Sequence, residues 1–295
     1  MSKRRRYFGC LLTVVLPLAA MCLLTAAPAW ALGRSYFTED EIVALRESFR
    51  YRFEGALTFE YLTPNRVLGN WESGYLAFYG KVVPQLTLYA QATGFSRPRN
   101  ELDPASRAFL GTVGAAINPT ENLTINAAGS FGTNSLYLPR DRADLSLAIR
   151  IPVSENFTCA IDPGGYYSKY FPGDEAYGAF LGPSFFVYYW NFGYQFIYSR
   201  STPKNLTALA QLVFFGYDVD GWHDTEVSVS FGDYNFLSNY LANPQQVRPE
   251  HYLDARINHR QWIGVDWGLV AEFGYFVLFK EISKWALTLG AFYEF

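Results

Sequence analysis

From Trp285 to Phe295 the chain alternates without a break. Trp285, Leu287, Leu289, Ala291, Tyr293 and Phe295 fall on one face of an extended strand, and Ala286, Thr288, Gly290, Phe292 and Glu294 on the other. An apolar face backed by a mixed one, sustained over about ten residues, is what a strand needs to cross a bilayer at a tilt. A sheet of such strands cannot stay open in lipid, because the N–H and C=O groups along its edges would meet no water. It has to close into a barrel.

The same period of two recurs along the chain. Tyr51, Phe53, Leu57, Phe59 and Tyr61 oppose Arg52, Glu54, Ala56, Thr58 and Glu60, and Leu86, Leu88, Ala90 and Ala92 oppose Thr87, Tyr89, Gln91 and Thr93. Leu145, Leu147, Ile149 and Ile151 oppose Asp144, Ser146, Ala148 and Arg150, and Val227, Val229 and Phe231 oppose Glu226, Ser228 and Ser230. The uncharged run 180–198 is long enough for a membrane helix. Pro183, Asn191, Gly193 and its many aromatics instead predict two strands joined at Trp190-Asn191. Short connections at Pro84, Asn118-Pro119, 154–156 and Trp190-Asn191 alternate with longer ones near 62–70, 96–107, 133–141, 171–176, 235–250 and 277–283. That is the barrel asymmetry of short periplasmic turns and longer outer loops. The reading is all-β: a transmembrane antiparallel β-barrel of about 14 strands, with 12 or 16 as alternatives because 201–205 and 217–223 break the rule.

Export is written at the start of the chain. Lys3, Arg4, Arg5 and Arg6 precede an apolar stretch from Cys10 to Ala27, and Ala29-Trp30-Ala31 supplies small residues for cleavage before Leu32. The alternative, an uncleaved N-terminal anchor, does not account for the Ala-x-Ala ending. The expected organisation is a signal peptide over 1–31, a short periplasmic segment over 32–48, and a barrel over 49–295. In the second, Thr38-Glu39-Asp40-Glu41 resembles a capping box opening a short helix. Past the signal a single cysteine, Cys159, remains, which excludes an intramolecular disulfide and a cysteine-based metal site. A net charge of −3, made more acidic by losing the basic leader, argues against nucleic acid. Aromatics make up 18% of the chain and charged residues only 17%, the balance of a barrel with aromatic girdles rather than of a water-facing surface.

An aromatic pair at Tyr293 and Phe295 on the last strand is similar to the insertion signal of outer-membrane barrels. It implies recognition by a barrel-assembly machinery, placement in the bacterial outer membrane, and contact with its lipids and lipopolysaccharide. The chain also resembles the YaiO-type outer-membrane β-barrel proteins. The likeness lies in Leu138-Pro139-Arg140, in the run from Gly165 to Tyr170 (GYYSKY), and in the run from Trp262 to Leu269 (WIGVDWGL). It spans roughly 50–295. It implies fold and location but no particular activity, and the helical repeats that often precede such barrels have no room here.

Function is then a question about the lumen. By strand phase the inward carboxylates are Glu54, Glu60, Asp144, Glu226, Asp254, Asp266, Glu272 and Glu294, and the inward bases are Arg52, Lys81, Arg150 and Arg256. Eight against four implies a water-filled channel for small hydrophilic solutes with a mild cation preference. Mixed charges could equally pair across a narrow lumen, which would make a non-conducting structural or partner-binding barrel. An outer-membrane enzyme is the third reading, and it would need a base near the rim. His223, His251 and His259 are the only histidines, and none has a nucleophile beside it in the pattern. No catalytic residue, cofactor or metal site is assigned, because no phosphate loop, nucleotide fingerprint or metal-ligand spacing occurs.

Overall fold

The computed structural model describes residues 48–63, 70–96, 107–133, 138–171, 173–202, 205–219, 222–234, 250–278 and 282–295. The expected signal peptide, and all of the 32–48 segment but Ser48, lie outside them. The strands are β1 (Tyr51–Thr63), β2 (Asn70–Val83), β3 (Leu86–Ser96), β4 (Arg107–Thr120), β5 (Leu123–Gly132), β6 (Pro139–Ser154), β7 (Phe157–Ile161) and β8 (Gly164–Tyr170). They continue with β9 (Glu175–Leu181), β10 (Pro183–Val187), β11 (Trp190–Thr202), β12 (Leu206–Val219), β13 (His223–Tyr234), β14 (Glu250–Trp262), β15 (Trp267–Leu278) and β16 (Ile282–Glu294).

Each strand pairs antiparallel with its neighbours, and β1 pairs with β16 from Arg52↔Glu294 to Thr63↔Ser283, which closes the sheet. Two staves are broken in the middle. β6 pairs first with β8 and then with β7, and β11 pairs with both β9 and β10. So β7 with β8 forms one crossing and β9 with β10 another, and the barrel has 14 strands.

The breaks lie side by side in the wall, at Asp162-Pro163 and at Gly182. Proline has no N–H for a ladder, and the Pro163 carbonyl instead accepts Leu147 N–H at 2.8 Å while Gly182 O accepts Asp162 N–H at 2.9 Å. A Cβ at Gly182 would run into the Tyr194 carbonyl, so this close approach requires glycine. The expected turn at Trp190-Asn191 falls instead at Tyr188-Tyr189, where Tyr188 takes a left-handed φ of 53°. Likewise the turn expected at Asn118-Pro119 comes later, at 121–122, because β4 continues through an irregularity to Thr120. The two connections that broke the length rule sort themselves out. The 203–205 connection belongs with the loops, and that between Val219 and His223 belongs with the turns.

The outer wall is apolar. Leu57, Leu76, Val113, Leu145, Phe196, Val213 and Leu289 are all exposed on it, in numbers that no water-facing monomer tolerates. Aromatics gather toward both rims, as Tyr51 stacked with Phe78 and Trp190 against Tyr217 at the turn end, and Tyr275 against Trp285 at the loop end. Tyr293 and Phe295 join the turn-end girdle, their rings 5.8 Å apart. Cys159, opposite Ile151 and Phe185, also faces outward. Among the described residues no helix is long and apolar enough to cross a membrane; the crossings are strands.

Candidate functional site

Fourteen strands at the usual spacing and tilt make a backbone cylinder of roughly 28 Å diameter. The side chains therefore decide how much of the lumen is left. They divide it unevenly. Around β3–β5 and β8–β12 large side chains lie flat over small inward ones. Tyr89 covers Gly114, Phe180 covers Gly164 and Phe214 covers Gly193, in each case where a Cβ would collide with the ring. Ala160, Ser168, Ala176, Ser184, Ala208 and Ala210 are buried in the same sector.

The other sector, β13–β16 with β1 and β2, carries the charge in two tiers. At the turn end Arg52 Nε donates to Glu294 at 2.8 Å, and Trp262 Nε1 donates to the other oxygen of that carboxylate at 3.0 Å. Beside them Glu54, 3% exposed, accepts the Tyr75 hydroxyl at 2.7 Å and Arg260 at 3.4 Å. Arg260 stands on β14 and Glu54 on β1, so this pair reaches across a chord of the barrel. Arg260 also approaches Asp224 at 3.7 Å. Beneath the charges Trp262, Val270 and Phe292 pack into a buried cluster.

Nearer the loops Lys284 Nζ donates to Glu60 at 2.8 Å, and Arg256 holds Asp254 at 2.8 Å and Glu272 at 3.7 Å. Thr58 and Thr288 share a hydrogen bond of 2.9 Å. These groups, with Ser73 and Thr93, line a partly open cavity of about 230 Å³. Above it Leu62, Leu278 and Ile282 form a small core with Trp71, Tyr252 and Phe276 against them. On the far wall Arg142 grips Asp144 through Nε and Nη2 and stands over the Tyr166 ring.

Most of the sequence-assigned lumen residues are where the phase put them. Arg52, Glu54, Glu60, Asp144, Arg150, Glu226, Asp254, Arg256 and Glu272 all sit on the inner face, and Lys81 points inward at the turn-end rim. Asp266 does not. It lies in the turn between β14 and β15, where it accepts a hydrogen bond from the outward Tyr293. The alternation of a strand does not extend through the turn before Trp267.

The structure also adds inward residues that the sequence reading passed over. Arg142, Arg260 and Lys284 join the bases, and Asp218 and Asp224 join the carboxylates. The signal was present, since each is an even number of residues from an inward position on its strand. With them the acidic excess among these inner-face residues is smaller, nine carboxylates against seven bases. The histidines stand outside the lumen: His223 and His259 face outward near the turns, and His251 pairs with Asp233 at 2.9 Å at the loop end.

No protein-family model and no curated protein sequence matches the chain. Solved structures do. The CymD monoaromatic hydrocarbon channel matches over 86% of this chain and 91% of its own, with a TM-score of 0.52 and 9% identity. OpdQ of Pseudomonas aeruginosa matches over 84% and 99%, with a TM-score of 0.47 and 8% identity. The translocator domain of the autotransporter NalP from Neisseria meningitidis matches over 87% and 93%, at 0.40 and 11%. At these identities the CymD match shows fold, and the fold is that of outer-membrane β-barrels.

Proposed function

We propose that the protein is an outer-membrane channel for small hydrophilic solutes. The observation that carries this is the inner face of β13–β16, β1 and β2, where paired charges and hydroxyls surround a cavity inside a closed, apolar-walled barrel. Polar groups on rigid strands around an open cavity are what a selective aqueous path requires. CymD is by its name a channel for hydrocarbons. The charged lining here fits polar solutes instead. Placement in the bacterial outer membrane, in contact with its lipids and lipopolysaccharide after delivery by the barrel-assembly machinery, is part of the same reading. So is membership of the YaiO-type barrels, supported by the order of residues in β6, β8 and β14–β15.

The test is single-channel recording from the refolded mature chain in a planar bilayer. Stepwise openings of a heat-modifiable, folded protein support the channel, and an electrically silent barrel overturns it. One observation favours a second reading, a non-conducting structural or partner-binding barrel. The Arg260–Glu54 pair bridges from β14 to β1 over the turn end of the lumen, beside the Arg52–Glu294 pair between the neighbouring strands β1 and β16. Under that reading folded protein is silent and co-purifies with another envelope component. An enzymatic role would need chemistry at the outer face or in the loops, because the histidines do not reach the lumen.

A further inference from the structure

We infer that the cavity between the two tiers of the lumen is a binding subsite for a neutral, polyhydroxylated solute about the size of one sugar ring. This rests on the channel reading and names its substrate class. At about 230 Å³ the cavity is far larger than a water site and near the lower end of ligand pockets.

Its two cations are both held, although the wall carries one carboxylate more than it has bases. Lys284 is held by Glu60, and Arg256 lies between Asp254 and Glu272. An anion would meet the surplus carboxylate, and a cation would have to share a carboxylate with Lys284 or Arg256, which repels it. A neutral hydroxyl does neither. It donates and accepts at once, so a row of hydroxyls can use the carboxylate lone pairs left over and the spare guanidinium N–H groups while all three pairs stay closed.

The rest of the wall has the same chemistry. Thr58, Thr288, Ser73 and Thr93 are hydroxyls that can take either role toward a polyol. Phe276 borders the cavity, stacked on Tyr252 at 6.1 Å, and gives the carbon face of a sugar ring an apolar surface to lie on. Strands hold these groups on a rigid frame, so little ordering is left for the solute to drive.

The experiment is the same bilayer recording with glucose added to the bath. Brief interruptions of the current should appear, with a frequency that rises with glucose concentration. They should become roughly tenfold rarer at equal glucose in Glu272→Gln, which removes a charged acceptor. Thr93→Val lies outside the ion pairs and serves if Glu272→Gln fails to fold; it should also reduce them. Three results overturn the inference: a conducting barrel that ignores glucose, one that polyethylene glycol of matched size interrupts equally, and one that arginine or acetate interrupts at lower concentration than glucose does. A silent barrel removes the channel reading alone. Saturation-transfer NMR with glucose and the detergent-folded protein then decides the subsite. Signal lost in the Thr93→Val variant supports it, and no signal from the unaltered protein overturns it.

Discussion

Arg260 holds Glu54 and Lys284 holds Glu60 in the lumen, but in different settings. Glu54 is almost fully buried, and its second oxygen has no hydrogen-bond partner among the described residues. The Glu60 side chain keeps 18% of its surface exposed. Arg260→Met therefore leaves a buried carboxylate held by Tyr75 alone and should cost about 3 kcal/mol. Lys284→Met should cost less than about 1 kcal/mol, because water can take over at Glu60. Urea titration of both variants refolded into lipid vesicles measures the difference, and equal losses would mean that the two tiers are equally wet. At this scale the sequence was legible wherever a residue lay on an uninterrupted strand. Parity placed Arg52, Glu54, Glu60, Asp254, Arg256 and Glu272 correctly because nothing between them disturbs the pleat. It misplaced Asp266 because a turn has no period. What parity does not carry is who pairs with whom: the Arg260–Glu54 contact depends on the curvature of the whole wall.

A strand of this barrel shows lipid one face and the lumen the other, so neighbouring positions should respond in opposite ways. Leu57 and Leu289 oppose each other on the outer wall near the middle of β1 and β16. Leu289→Arg should destabilise the barrel by about 2–4 kcal/mol in bilayers, whereas Thr93→Lys, on the inner face, should be tolerated within about 1 kcal/mol. Inside, the rings laid over small residues leave no slack. Gly193→Ala would drive a methyl into Phe214, and a loss of about 1–3 kcal/mol is expected, read as a lower temperature for the gel shift of folded protein. Most crossings, and their number, were legible because alternation and turn residues agree. The two broken staves were not. Pro163 and Gly182 look like ordinary turn formers in sequence, and only the pairing of both halves with the same neighbours shows that the chain runs on in one direction.

As a whole the molecule joins a lipid-compatible outside to a lumen that is packed on one flank and polar on the other. If the leader is removed as its residues indicate, intact-mass measurement of the exported protein should give a chain starting at Leu32. A mass that retains 1–31 would mean an anchored protein. The seam of the barrel makes a second prediction. Phe295 O accepts the N–H groups of Arg50 and Tyr51 at 3.0 and 2.9 Å, and its own N–H returns to Tyr51 O at 2.9 Å. Deleting Phe295 should therefore lower the yield of heat-modifiable barrel, with the remaining molecules proteolysed from the β1 side. Arg52 and Glu294, which meet on the inner side of that seam, are 242 positions apart. Synthesis is directional, so the first strand is complete long before its partner exists. Throughout that interval β1 is an open edge, able to pair with any other extended segment that it meets. That edge accordingly stays exposed, and the wall can be sealed only after residue 294 has been made.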